Sequence, residues 1–352
     1  SEAVADALSL CLACKSCKHD CPLHVDMATY KSEFNAHHYA GRIRPRAAWA
    51  MGQIRRWAEL AQAAPGLANF VLRAPGLGGL AKRVGGLAPA RTVPAFARRS
   101  FRAWWRHRPR TAIDGPPVVL FPDTFNDFFR PQTAIAAVEL LEGLGYAVDV
   151  PAASLCCGRP LYEWGWLDQA KSLWRRNLGV LKPIVETGVP IVGLEPACVS
   201  AFRDELPNLF PKDELAKRLK DQTLFLTEFL DRQGRAPTLA EPVEAMVQIH
   251  CHQHAVLDAE AERRVLTAAG IAANVLPSGC CGMAGAFGFE AEKYDVSMAC
   301  AERVLLPTLR EAPAQTLVLA NGFSCREQIE QGCGRTTLHV AEVLARAVHG
   351  GP

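Results

Sequence analysis

The most constraining feature of this 352-residue chain is an internal repeat. The first copy runs "PPVVLFPDTF", then helix-like "TAIAAVELLEGLGYAVDV", "LCCGRP", a second helical stretch, and "VPIVGLEPACVS". The second runs "AMVQIHCHQH", "AERRVLTAAGIAANVL", "GCCGMAG", a helical stretch from Tyr294 to Arg310, and "TLVLANGFSCRE". Each copy reads strand, helix, Cys-Cys-Gly, helix, strand, cysteine. Strands alternating with helices predict parallel pairing and a layered α/β fold. Open α/β sheets place ligands just beyond the carboxyl ends of their strands, and the cysteines fall there.

In the second copy Cys251 lies 29 residues before Cys280, and Cys325 lies 44 residues after Cys281. Adjacent thiolates at a strand-to-helix turn can grip two metals or two faces of a cluster. The glycines beside them let backbone N–H groups approach sulfur. The expected metal set is therefore Cys251, Cys280, Cys281 and Cys325. The first copy offers Cys156, Cys157 and Cys198, with about Asp123 aligned to Cys251, so either a three-thiolate, one-carboxylate site or a degenerate one is expected. Of His250, His252 and His254, an extended strand would turn Cys251 away from the histidines. His252 is the single histidine candidate. Cys300 and Cys333 have no repeat partner and read as ordinary thiols.

A second signal opens the chain. "CLACKSCKHDCP" places Cys11, Cys14, Cys17 and Cys21 at C-x2-C-x2-C-x3-C-P, the bacterial ferredoxin spacing for a 4Fe-4S cluster. Zinc motifs more often use two separated pairs. In ferredoxins the fourth cysteine serves a different cluster, yet only one such run is present. The following "VDMATYKSEF" predicts a helix capped by Asp26, with Met27, Tyr30 and Phe34 on one face.

Charge divides the rest. Net charge is +3, but Arg42 to Arg110 holds fifteen Lys/Arg and one acid, Glu59, leaving +14 there and −11 elsewhere. This segment mixes short helical patterns with Pro/Gly breaks and carries Trp49, Trp57, Trp104 and Trp105. It reads first as a connector whose basic face docks on an acidic neighbour, second as a peripheral membrane contact through 42–110. It holds no nucleic-acid motif. The expected organisation is a 4Fe-4S ferredoxin-like helical module (1–40), a basic helical connector (41–115) and two cysteine-rich α/β repeats (116–240 and 241–352). No apolar run of about 18 residues predicts a transmembrane helix, and no signal peptide is seen. Thirteen cysteines without a secretory signal favour metal thiolates over disulfides. The expected location is cytoplasmic, with room for peripheral contact on the inner face of the membrane.

The paired Cys-Cys-Gly repeats resemble the cysteine-rich (CCG) domains of heterodisulfide reductase and of glycolate oxidase iron–sulfur subunits. More widely, "LCLACKSCKHDCP", "GRIRPRAAWAMG", "FPDTFNDFF", "SGCCGMAGAFGFE" and "NGFSCREQI" resemble the C-terminal half of FAD-dependent D-2-hydroxyacid dehydrogenases of the D-2-hydroxyglutarate and D-lactate type. The resemblance implies an upstream flavin domain and an upstream ferredoxin run, whose cluster Cys21 would ligate; the alternative is a natural separate subunit, or a single cluster closed by all four of Cys11, Cys14, Cys17 and Cys21. It implies an oxidoreductase component, inactive alone, that passes electrons from FAD to a quinone, an electron-transfer flavoprotein or another carrier. One departure stands out. The family's pattern ends in C-x-x-C, and the first of that pair is Glu195 in one copy and Gly322 in the other. The alternatives are a disulfide-reductase-like catalyst at the CCG site and a zinc-holding scaffold. No residue reads as a substrate base, and no dinucleotide fingerprint, nucleophile elbow or P-loop is present.

Overall fold

The computed structural model describes residues 2–109 and 112–349. Two parallel sheets carry the repeats. The first contains β1 (Pro117–Phe121), β2 (Ala147–Asp149), β3 (Ile191–Gly193) and β4 (Thr223–Phe225) in the order β2-β1-β3-β4. The second contains β5 (Val243–Gln248), β6 (Ile271–Val275) and β7 (Leu317–Ala320) in the order β6-β5-β7. Val119 pairs with Asp149 and Ile191, as Ala245 pairs with Ala273 and Leu317. β1 and β5 are thus equivalent central strands. A parallel bridge from Leu319 to Leu338 stands where β4 stands in the first sheet. The fold is α/β, as the alternation predicts.

The repeats exchange their last helices. Leu226–Gln233, after β4, packs on Ala259–Ala268 of the second repeat, and Val340–His349, after Leu338, packs on Pro131–Gly143 of the first. One apolar core therefore crosses the boundary, joining Val118, Leu120, Val138 and Leu141 to Val247, Val265, Val343 and Leu344. Each repeat has a further cluster of its own, around Trp174 and Phe202 in the first and around Met283 and Leu306 in the second.

The head lies across both repeats. Its helix Met27–His38 starts at Asp26, whose side chain accepts from the Thr29 N–H at 3.0 Å. The buried face is Ala28 and Ser32, while Tyr30 is exposed. Small residues let this helix lie close against Arg159–Glu163 and Leu167–Thr187. The short helix Ser16–Asp20 rests on Cys251–Val256 of the second repeat. The basic segment straps the body. Arg44 donates to the Gly165 carbonyl at 3.0 Å, and Arg91 to the Gly288 carbonyl at 2.8 Å and the Ser297 hydroxyl at 3.0 Å. Arg102 lies 3.3 Å from Asp127, and Arg108 donates to Glu142 at 2.8 Å. Two of these four arginines meet acids, and the other two satisfy backbone carbonyls.

Candidate metal centre

The strand ends set the site. After β1, Asp123 caps Thr124–Phe128, accepting from the N–H groups of Phe125 (2.9 Å) and Asn126 (3.0 Å). After β5, His250 caps Cys251–Val256, its Nδ1 accepting from the His252 N–H at 3.1 Å. Asp123 therefore matches His250, and Thr124 matches Cys251. This corrects the alignment of Asp123 with Cys251 by one residue. The Asp123 carboxylate is consumed by its cap, and the Thr124 hydroxyl instead donates to Cys156 Sγ at 3.4 Å. The β5 strand also ends before His250, so Cys251 is not turned away from the histidines as an extended chain would require.

The second repeat brings Cys251, Cys280, Cys281 and Cys325 into one chain of thiol contacts, 251 to 280 to 281 to 325. The Cys280 contact and burial push the Cys251 thiol well up. The Gly282 N–H donates to Cys280 Sγ at 3.5 Å. The first repeat gathers Cys156, Cys157 and Cys198 the same way, with Cys198 Sγ 2.9 Å from Cys157 Sγ. Burial raises Cys198 to about 12. Trp174 Nε1 donates to the Cys157 carbonyl at 2.6 Å and Asn177 to the Cys156 carbonyl at 2.7 Å, pinning the loop to the helix behind it. The glycine of each Cys-Cys-Gly is required by space as well as by backbone. A Cβ on Gly158 (φ +78°) would meet Trp174 Nε1 at 2.6 Å, and one on Gly282 (φ +83°) the Ser297 carbonyl at 2.1 Å.

Cys157 and Cys198 of the first repeat and Cys251 of the second line one small cavity of about 60 Å³ between the repeats. Phe125, Phe323 and the head residue Leu12 complete its apolar wall. Glu195 also lines it and is wholly buried. Burial, with Asp123 adding, raises the Glu195 carboxyl to about 8. Its oxygens accept from Phe323 N–H at 2.7 Å and Ala197 N–H at 3.4 Å.

His252 is buried, its Nδ1 3.9 Å from Cys251 Sγ, and its Nε2 has no hydrogen-bond partner. Burial, with Arg159 next, pushes its pKa well down, so the ring is neutral. His250 is just as close to Cys251, at 3.9 Å, and the donor atoms of His250, Cys251 and His252 lie within 4.8 Å of one another. Cys300 stands behind the loop, its Cβ close to where a Gly282 side chain would be, and Cys333 Sγ contacts the Ile329 carbonyl at 3.3 Å.

Two buried cations escaped the sequence reading, though one of them directly follows a Cys-Cys-Gly. Arg159 pairs with Glu205 and with Glu163 (3.0 Å), and donates to the Ala13 carbonyl at 3.2 Å. Burial works against its charge, and Glu205 and Glu163 outweigh it. Its positive field reaches both Cys157 and Cys251. Lys15, in the head run, bonds Asp26 (2.9 Å) and Asp204 (2.5 Å) with Glu205 at 3.2 Å. This ion cluster fastens the head over the first repeat.

In the head, burial pushes the Cys11 thiol up and the neighbouring Cys14 and Cys17 add to the rise, while Lys31 opposes it. Cys21 is held differently. Backbone N–H groups of Val25, Leu23 and His24 lower its pKa, and it is partly exposed. Beside it, exposed His19 lies 4.6 Å, ring to ring, from His254 of the second repeat.

Two independent comparisons bear on this arrangement. A family model described as the CCG cysteine-rich domain matches residues 121–203, the first repeat through Cys198. Lactate utilization protein A of Bacillus subtilis is 30% identical to this chain over 64% of it and 98% of the relative. The chain belongs to the CCG cysteine-rich family. D-2-hydroxyglutarate dehydrogenase of Pseudomonas putida is 28% identical over 98% of this chain. One component of the anaerobic glycerol-3-phosphate dehydrogenase of Escherichia coli is 28% identical over 73% of this chain and 66% of the relative. The chain spans about one third of the length of the D-2-hydroxyglutarate dehydrogenases it matches, 34% in the Pseudomonas putida case. Its second CCG repeat, outside the matched residues, repeats the order of the first three strands and adds Cys251 to the three thiols equivalent to those of the first.

Proposed function

We propose that this chain is the iron–sulfur electron-transfer part of an FAD-dependent D-2-hydroxyacid dehydrogenase, carrying electrons from a flavin to an external acceptor. One observation carries the reading: thiols from both repeats, Cys157 and Cys198 on one side and Cys251 on the other, meet at one cavity that the head residue Leu12 also lines.

The donor set fits such a group. It is rich in soft sulfur, buried, and free of an available carboxylate, since Asp123 is spent on its cap and Glu195 is neutral at pH 7. Crowded thiols oppose one another's ionisation, and a bound cation relieves that opposition. Cys251, Cys280, Cys281 and Cys325 would hold the group of the second repeat. Cys156, Cys157 and Cys198 would hold a weaker one in the first. Cys11, Cys14 and Cys17 would supply three corners in the head, with Cys21 serving a cluster upstream. An iron–sulfur cluster changes charge one electron at a time, which is the chemistry it supplies between a two-electron flavin and a carrier.

The chain's own residues prepare the surroundings. Leu12, Phe125 and Phe323 keep water from the thiols. Arg159 sets a fixed positive charge near Cys157 and Cys251, favouring their ionised forms. The Gly282 N–H does the same for Cys280.

Anaerobic purification with iron and acid-labile sulfide quantification tests the reading. Iron with matching sulfide is expected, together with a visible absorption band bleached by dithionite. Zinc without sulfide would replace the proposal with the scaffold reading. The proposal also expects no D-2-hydroxyacid oxidation by this chain alone.

A further inference from the structure

Three consecutive helices of the basic segment carry their apolar faces outward. In Pro65–Arg73 the residues Leu67, Phe70 and Val71 follow i, i+3, i+4, and the first two are 64% and 62% exposed. In Leu77–Gly85 the exposed residues are Leu77, Leu80 and Val84 (i, i+3, i+7), the last at 63%. Ile54–Ala61 adds Trp57 and Leu60. Apart from Leu72, which packs towards Phe96 and Phe128, the inward contacts are small or polar. Ala58 is buried, a Cβ on Gly78 would meet the Leu72 carbonyl at 2.4 Å, and Asn69 exchanges two 2.8 Å hydrogen bonds with the Phe96 backbone. A helix that covers a core turns its apolar stripe the other way. So long a row of exposed large apolar side chains marks an interaction face.

We propose that this face lies on an anionic lipid bilayer, in the plane of its headgroups. Charge selects that occupant. Arg56, Arg73 and Arg83 are exposed on the same helices, whose single acid, Glu59, is paired with Arg55 at 2.8 Å, and the sequence has no Asp or Glu between Leu60 and Pro109. A second copy would set two such basic faces against each other, and like charges repel. Exposed Trp49 and Trp57, joined by the Trp57 Nε1 hydrogen bond to the Trp49 carbonyl at 2.9 Å, sit at the start of the apolar row. Trp beside Arg is the composition of a membrane–water boundary. The three helices have eight or nine residues each, and no helix of the described residues is long and apolar enough to cross a membrane. The contact is therefore interfacial, with apolar side chains in the acyl boundary and guanidinium groups at the phosphates.

Co-sedimentation of the full chain with vesicles tests this. One set contains about 30 mol % phosphatidylglycerol in phosphatidylcholine, and the other is pure phosphatidylcholine. Binding to the anionic set is expected, at least about tenfold weaker on the neutral set, since each surface Lys or Arg contributes about fivefold. It should fall in about 0.5 M salt. Phe70→Asp combined with Leu80→Asp should lower anionic-vesicle binding at least about tenfold, with circular dichroism unchanged because both residues are exposed. If that variant misfolds, Arg73→Glu with Arg83→Glu should lose the anionic preference and keep any neutral-vesicle binding. The proposal is overturned if wild type stays in the supernatant with both vesicle types, or if a folded variant binds as wild type does. A dimer in sedimentation velocity that the Asp variant abolishes, without vesicle binding, would assign the face to a second copy instead.

Discussion

Glu195 Oε1 of the first repeat lies 4.0 Å from His250 Nε2 of the second. The other Glu195 oxygen caps the helix Phe323–Cys333 that carries Cys325. One carboxyl thus ties the end of β3 to the cysteine-bearing edge of the opposite repeat. Standing between the repeats, it joins the halves.

That position makes stability depend on pH. Glu195 is raised to about 8 from an ordinary 4.5, chiefly by burial, so the folded chain holds a proton that the unfolded chain releases between those values. Its contribution is fully present below about pH 4.5 and is lost as pH rises through 8. Glu262, raised by burial to about 7, acts in the same direction. Glu195→Gln keeps an acceptor for Phe323 and cannot ionise. Urea midpoints at about pH 5.5 and 8 should differ less in the variant than in wild type. An unchanged difference would refute the assignment.

His339 has the opposite sign. Burial, with Arg326 nearby, lowers it to about 3, while its Nε2–H donates to the Leu194 carbonyl at 2.9 Å and Nδ1 accepts from Ala341 N–H at 3.0 Å. The unfolded chain binds the extra proton between about 6.5 and 3. Stability from this group is present above pH 6.5 and falls as the pH drops towards 3. His339→Gln should cost about 1 kcal/mol near neutrality through the lost Ala341 bond. It should also make acid unfolding below pH 6 shallower, which a denaturant series across that range reads directly.

Gly322→Ala probes the junction sterically. The backbone there, at φ −75°, suits any residue, but a Cβ would meet His250 Cδ2 at 2.1 Å. The ring must move, at a cost of roughly 1–3 kcal/mol. A lowered thermal midpoint is expected, and a midpoint equal to wild type would show that His250 is free to shift.

The two thiol sets should differ in capacity. Thr124 stands in the first repeat where Cys251 stands in the second, so the first has one sulfur fewer. After anaerobic reconstitution, Cys281→Ser should lose more iron per chain than Cys157→Ser, with both variants folded by circular dichroism. Equal losses would show that the two sites bind alike.

The chain's own residue order determined the α/β class, because alternating strand and helix patterns are local. It also marked Cys251, Cys280, Cys281 and Cys325 as a set, and Cys156, Cys157 and Cys198 as its counterpart, because a repeat places equivalent residues at equivalent strand ends. The helix start at Asp26 was legible for the same local reason. Tertiary structure alone decided that Thr124, and not Asp123, faces the thiols. A cap rotates the chain by one residue at a strand end, and sequence alignment does not resolve so small a step. It alone brought Cys157, Cys198 and Cys251 to one cavity, since the exchange of terminal helices depends on which apolar faces meet across the repeats. It alone turned Arg159 and Lys15 inward, where charge is stable only beside acids: Arg159 beside Glu163 on its own helix and Glu205 of the same repeat, and Lys15 beside Asp26 and, with the head closed over the first repeat, Asp204.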